Sequence, residues 1–411
     1  MGTDAGTIEA VPGTVVEERL IGRIGGGSPG PTLMCVAGIH GNEPAGVHAV
    51  RRVLAALRGR RGEMTGDLVA FAGNLVALER GCRFVDRDLN RAWTTERLAS
   101  LREKGKVGFT VEDREQAALL QVIEGVVKSA RGAVYALDIH TTSGPGGVFS
   151  LFADVLPHRR FAESFPIPMV LGLEELVDGT LLNLLSDRGI VAITVETGQH
   201  DEPAAIDRAE AAIWISVVAS GLMPEHLVPE VVAARGLLER TSARLPRALE
   251  IRYRRDVTVG DGFVMAPGYS NFQKVVEGQV IARDDEGDVV VTEKGRLLMP
   301  LYQEQGEDGF FLVREIRPFW MRVSVMFRRA GVSRVAFWLP GVRRVPGTDD
   351  EVLVGKRAAR IFARQLFQLL GFRQLEDAGR HLVMRRRGFE AGKYLREPPT
   401  REPLRSSQAA D

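Results

Sequence analysis

The chain has 411 residues, 45% of them hydrophobic and 26% charged, which is ordinary for a folded protein and long for a single domain. That composition excludes a disordered, collagenous or coiled-coil chain, and a formal net charge of +1 provides no overall basic field for nucleic acid. The longest mostly apolar stretch, Ala211–Met223, has 13 residues, against the roughly 20 that a membrane span needs. The first residues show no basic segment leading into an apolar one, and Cys35 and Cys82 cannot form a disulfide framework, so a cytoplasmic location is expected.

In chain order, Leu33–Val36 reads as a buried strand, Pro44–Leu57 as a helix with proline in its first turn, and Asp67–Ala72 as a second strand. Thr110-x-x-Asp113 has the form of a capping box opening a helix to about Val127. Strands follow at Ala133–Ile139 and Ile190–Val195, and a helix at Ala204–Ser220. Strands alternating with helices imply an α/β layered sheet. From about Ala248 short β runs are separated by turn signals such as Gly260-Asp261-Gly262 and Glu307-Asp308-Gly309, which predicts a small antiparallel unit to about Pro318. Residues 321–411 carry 19 Lys+Arg against 9 Asp+Glu. Within them Glu351–Leu370 reads as a helix and Arg380–Arg387 as a strand, and the tail after Pro398 reads as disordered. The expected division is therefore 1–245, an α/β domain; 246–320, a small β-rich domain; and 321–411, a basic α+β appendage.

Polar residues gather just past the predicted strand ends, the edge where open α/β sheets bind ligands. His40-Gly41-Asn42-Glu43 follows the first strand, and Asp138-Ile139-His140 closes the third. Two histidines and a carboxylate from neighbouring strands suit a three-ligand zinc site with an open fourth position. Asp138 and His140, two apart on a strand, point the same way, so Asp138 is placed to orient an imidazole. Glu196 ends an apolar strand, where it is placed to take a proton from water. The segment Arg83–Arg91 brings guanidinium groups suited to gripping a carboxylate. His158 and His226, in polar contexts, read as solvated, and His200 is a second-rank candidate for lining the site. Arg385–Arg387 reads as a solvated face or an oligomer contact, so a homo-oligomer stays open, while neither a membrane nor a nucleic acid is expected as a partner.

Taken together, GIHGNEPAG, CRFVDRDLNRAW, ALDIHTTSG and VETG resemble the succinylglutamate desuccinylase/aspartoacylase family over roughly Leu33 to Phe311. The resemblance implies a mixed-sheet zinc carboxypeptidase-like domain, followed by the small β-rich domain and the appendage, with one zinc per subunit. It implies His40, Glu43 and His140 as zinc ligands, Glu196 as the general base acting on zinc-bound water, and Arg83 as the group that polarises the scissile carbonyl. Asn90 and Arg91 would hold a substrate carboxylate, and Asp138 would support a histidine ligand. The implied activity is hydrolysis of the amide of an N-acyl amino acid or related carboxylate-bearing N-acyl amine. Two alternatives stay open: a zinc carboxypeptidase acting on a peptide or cell-wall fragment, and a non-catalytic metal-binding protein whose appendage binds nucleic acid or a partner. The residues that read an acidic substrate in aspartoacylases have no clear counterpart here, since only Arg188 lies in the stretch before the base, and Tyr269 and Tyr302 fall in no matching motif.

Overall fold

The structure, a computed structural model, describes residues 18–103, 108–329, 341–345, 351–355, 372–378 and 381–386. The main strands are β1 (Leu20–Gly25), β2 (Thr32–Ala37), β3 (Asp67–Ala72), β4 (Val134–Thr142), β5 (Phe149–Leu151), β6 (Met169–Leu171), β7 (Val191–Gln199) and β8 (Ala248–Asp256). Six more follow: β9 (Val264–Met265), β10 (Lys274–Val275), β11 (Val280–Asp284), β12 (Gly287–Val290), β13 (Gly295–Leu298) and β14 (Asp308–Glu315). Helices are α1 (Ala45–Leu57), α2 (Leu75–Arg80), α3 (Thr95–Glu103), α4 (Val111–Ser129), α5 (Leu156–Ala162), α6 (Leu181–Asp187), α7 (Ala204–Ala219), α8 (Glu230–Ser242) and α9 (Pro318–Arg329).

One mixed sheet runs in the order β1-β3-β2-β4-β7-β5-β6-β8-β14-β13-β10. Its centre, β3-β2-β4-β7, is parallel. These strands are continuous apolar runs because both faces are covered: every residue of β2 and β3 is buried. Side chains alternate between two cores. Leu33 and Cys35 pack with α1 and α7 residues such as Val53 and Ile213, while Met34 and Val36 pack on the other face with Leu119 and Ile123 of α4. The chain leaves β2 toward β3 on one side and later returns to β4 on the other. The loop after β2 therefore opens at the crevice where strand order reverses, the usual ligand edge of such sheets.

The β-rich stretch after Ala248 is joined to this sheet rather than set apart from it: β8 pairs parallel with β6 and antiparallel with β14. Strands β9, β11 and β12 form a small second sheet. Among the described residues no helix is long and apolar enough to cross a membrane. Glu351–Gly355, expected to open a helix, is a strand instead, paired antiparallel with His381–Arg386. Its short apolar run, Val352-Leu353-Val354, has no periodicity long enough to distinguish the two forms. Residues 356–371, Arg387 and the tail after Pro398 lie outside the described residues.

His158, read as solvated, is fully buried, with Nδ1 3.1 Å from Ala153 O and Nε2 3.0 Å from Ile190 O. Burial pulls it down to about 4, outweighing those carbonyls and Asp154, so the folded ring is neutral at pH 7. The unfolded ring gains its proton near 6.5, so His158 contributes stability above that pH, lost as pH falls toward 4. Wild type should lose about 2 kcal/mol more between pH 7 and pH 5 than His158→Leu in urea denaturation, and parallel losses would contradict this assignment.

Candidate active site

The loop between β2 and α1 carries the first two site residues. Gly38 sits at φ +69°, and a Cβ on Gly41 would lie 1.9 Å from the Ala77 carbonyl carbon, so glycine lets this loop lie against α2. Glu43 N–H donates to His40 O at 3.2 Å, closing the turn just before Pro44 caps α1. His140 and Glu196 are direct neighbours in the β4–β7 register. Both were expected at or beyond a strand end. They lie inside it, because β4 runs to Thr142 and β7 to Gln199.

Side chains converge from these elements. His40 Nδ1 is 2.7 Å from Glu43 Oε1, and His140 Nδ1 is 3.1 Å from Glu43 Oε2. The opposite nitrogens meet other carboxylates: His40 Nε2 lies 3.1 Å from Asp88 Oδ1, and His140 Nε2 lies 3.1 Å from Asp138 Oδ2. Such partners fix the tautomer of an imidazole and turn its other nitrogen toward a cation. The ligand atoms of His40, Glu43 and His140 all lie within 4.8 Å of one another, and all three residues are buried. Two nitrogens and one carboxylate suit a divalent cation with an open position.

The charges are coupled as this geometry requires. Burial would raise Glu43, but His40 and His140 outweigh it and hold the carboxyl well below its ordinary range. Burial would lower His140, but Asp138 and Glu43 hold it well above. Glu196 is 6% exposed, and burial pushes it up to about 8; His140 pulls against that shift, and Glu43 and Asp138 add to it. Among the described residues its buried Oε2 has no hydrogen-bond partner.

The third cluster is held by partners that sequence reasoning did not single out. Arg83 Nη2 and Nε reach Asp88 Oδ2 at 2.8 and 3.1 Å, and Nη1 stands 3.8 Å from Glu43 Oε1. Burial favours protonated Asp88, yet Arg83 and His40 keep it well below the usual carboxylate range. The fully buried Glu112, on the first turn of α4, accepts from Val85 N at 2.7 Å, Asp86 N at 2.9 Å, Arg87 N at 3.3 Å and Asn74 Nδ2 at 3.1 Å. Asn90 Oδ1 accepts from Leu181 N at 2.8 Å, and Arg91 Nη1 donates to Asn90 O at 2.9 Å.

A loop before β14 closes the remaining side. Gln303 Oε1 accepts from Asn42 Nδ2 at 2.9 Å and lies 3.1 Å from His200 Nε2, whose Nδ1 is 2.7 Å from Thr141 Oγ1. His40, Glu43, Arg83, Asn90, Arg91, His140, Glu196 and His200 thus line one cavity, and Asp138 stands behind His140.

Residues 29–213 match the model of the succinylglutamate desuccinylase/aspartoacylase catalytic domain. A succinylglutamate desuccinylase of Paraburkholderia xenovorans is 25% identical over 285 residues, 66% of this chain and 77% of that protein. An N-acyl-aromatic-L-amino acid amidohydrolase (carboxylate-forming) of Xenopus tropicalis is 27% identical over 199 residues, 44% of this chain and 60% of that one. In fold, the crystal structure of a succinylglutamate desuccinylase/aspartoacylase from Rhodobacter sphaeroides superposes with a TM-score of 0.50 at 18% identity, covering 71% of this chain and 87% of that one. The mixed α/β sheet is shared with that structure, and residues 29–213 of this chain are similar to the catalytic domain of the succinylglutamate desuccinylase/aspartoacylase family.

Proposed function

We propose that this protein is a zinc-dependent deacylase that hydrolyses the amide bond of an N-acyl amino acid or related carboxylate-bearing N-acyl amine. The observation that carries the reading is the convergence of His40, Glu43 and His140 with a buried carboxylate, Glu196, beside them in register. The names of relatives, a succinylglutamate desuccinylase and an N-acyl-aromatic-L-amino acid amidohydrolase, point to the same bond class.

His40, Glu43 and His140 would hold one zinc per subunit, and zinc there would supply Lewis-acid polarisation and lower the pKa of a water to about 7. The positive charge of a bound cation would favour the ionised form of Glu196, whose carboxylate would then take the proton of the attacking water and deliver it to the leaving amine. Arg83, fixed through Nε and Nη2 by Asp88, turns Nη1 hydrogens toward the developing oxyanion. Asn90 and Arg91 bind and orient the substrate, and Asp138 keeps the His140 ring in place. The division into a hydrolase unit at 1–245, a β-rich unit at 246–320 and an appendage at 321–411 belongs to the same proposal, as does a cytoplasmic location.

The test is primary-amine release from a panel of N-acetyl, N-succinyl and longer N-acyl amino acids, run beside short peptides. Release from one acyl class is expected, abolished by a chelator and restored by zinc. Release from peptides alone would move the assignment to a carboxypeptidase. Silence of the zinc-loaded protein on every compound would remove the catalytic reading.

A further inference from the structure

Both arginines that line the cavity already have carboxylate partners within the fold. Arg83 is paired with Asp88. Arg91 Nη2 is paired with Asp308 Oδ2, and Glu307 Oε2 stands 3.8 Å from Arg91 Nε. Asp308 is itself held from behind, since Arg254 Nε reaches its Oδ1 at 2.5 Å and Arg254 Nη1 donates to Leu176 O at 2.8 Å. The Arg91 and Asp308 side chains are only 17% and 16% exposed, so this pair is poorly screened by solvent. The same cavity is lined in part by apolar side chains, those of Leu151, Leu173, Val177, Leu182, Met299 and Phe311.

This arrangement determines how much negative charge the cavity can take. Arg91 spends two N–H groups, on Asn90 O and Asp308, and its buried Nε has no hydrogen-bond partner among the described residues. It can still donate to one carboxylate. Among the described residues that line the cavity a second carboxylate would find no guanidinium without a carboxylate partner, and it would face Asp308 and Glu307 as like charges in a partly desolvated site. An apolar side chain would instead cover the Leu and Phe wall and bring no charge that needs a partner.

We propose that Asp308 sets the substrate class: by spending part of the charge of Arg91 it selects N-acyl amines with an apolar side chain and at most one carboxylate, and rejects N-acyl acidic amino acids. The proposal rests on the deacylase reading for its chemistry, whereas the binding preference stands on charge alone.

The experiment separates the two. Full-length, zinc-loaded protein carrying Glu196→Gln, which holds substrate without turning it over, is titrated calorimetrically with N-acetyl-L-leucine and N-acetyl-L-aspartate. The leucine compound is expected to bind at least about tenfold more tightly, and adding Asp308→Asn should narrow that ratio about tenfold by tightening the aspartate compound. Because Asp308 bridges two arginines, its variant is checked for folding by circular dichroism. Glu307→Gln, at a half-exposed position, provides a second reading, with a shift of about threefold in the same direction. Equal binding of the two ligands, binding of neither, or a ratio unmoved by both substitutions overturns the proposal. Amine release is read on the otherwise wild-type protein in parallel. The expected binding ratio without release from either ligand would defeat the deacylase reading and leave the charge selection standing, whereas release with aspartate preferred would do the reverse.

Discussion

Glu196→Gln is expected to lower kcat for amide cleavage by about 10²–10⁴-fold while leaving zinc stoichiometry and substrate affinity close to wild type. Glu196 is buried in β7 directly opposite His140, it lines the cavity, and among the described residues its Oε2 has no hydrogen-bond partner. A carboxylate kept in such a position at a cost in stability fits a functional rather than a packing role. Glutamine keeps the shape and removes the proton acceptor. The stability consequence has a definite sign. In the cation-free protein Glu196 is raised from 4.5 to about 8, so the unfolded chain loses this proton before the folded one, and the group's contribution to stability is lost as pH rises through that window. The Gln variant does not titrate there. Its melting temperature should therefore gain on that of cation-free wild type as pH rises from 5 to 8. Unchanged kcat would remove Glu196 from the mechanism, and a melting gap that ignores pH would refute the shifted carboxyl.

The parts of this site that could be read from sequence are those built by consecutive residues. The apolar runs that become β2, β4 and β7 each lead into a short polar segment, and that juxtaposition exposed His40, Glu43, Asp138, His140 and Glu196. The parts that could not be read depend on distant partners. Asn42 meets Gln303 across 261 positions, and Arg91 meets Asp308 across 217, so no local pattern signals either contact. The short strands β5 and β6 have three residues each, too few for a period, yet they link the parallel centre of the sheet to β8. The predicted turn at Glu307-Asp308-Gly309 illustrates the limit. Its turn chemistry was legible, but Asp308 opens β14 and faces an arginine that turn chemistry cannot identify. Asp88 was visible only as one charge in a charged segment, and its hold on both His40 and Arg83 comes from three-dimensional closure.

Glu112→Ala is expected to cost about 3–5 kcal/mol of stability and about 10²-fold in kcat, although Glu112 does not line the cavity. In sequence it is the second helical residue after a capping threonine, where an acidic group usually faces solvent and complements the helix dipole. Here it is fully buried and accepts from three consecutive backbone N–H groups, those of Val85, Asp86 and Arg87. Removing it leaves the buried Asn74 amide and three part-buried backbone N–H groups without their acceptor, and a fully buried donor so stranded costs about 1–3 kcal/mol before relaxation. The same segment carries Arg83 two residues before those amides and Asp88 one residue after them. Loss of the anchor therefore moves Arg83, the proposed oxyanion donor, and Asp88, the partner of His40, together. Two measurements separate this from simple destabilisation. Urea denaturation gives the stability loss, and kcat is read at a temperature where the variant stays folded. Glu112→Gln, which keeps one carbonyl oxygen, should fall between wild type and Ala on both. A variant that is destabilised but retains full kcat would make Glu112 a stability residue alone, and one unaffected in both would show that the Arg83–Arg91 segment holds its shape without it.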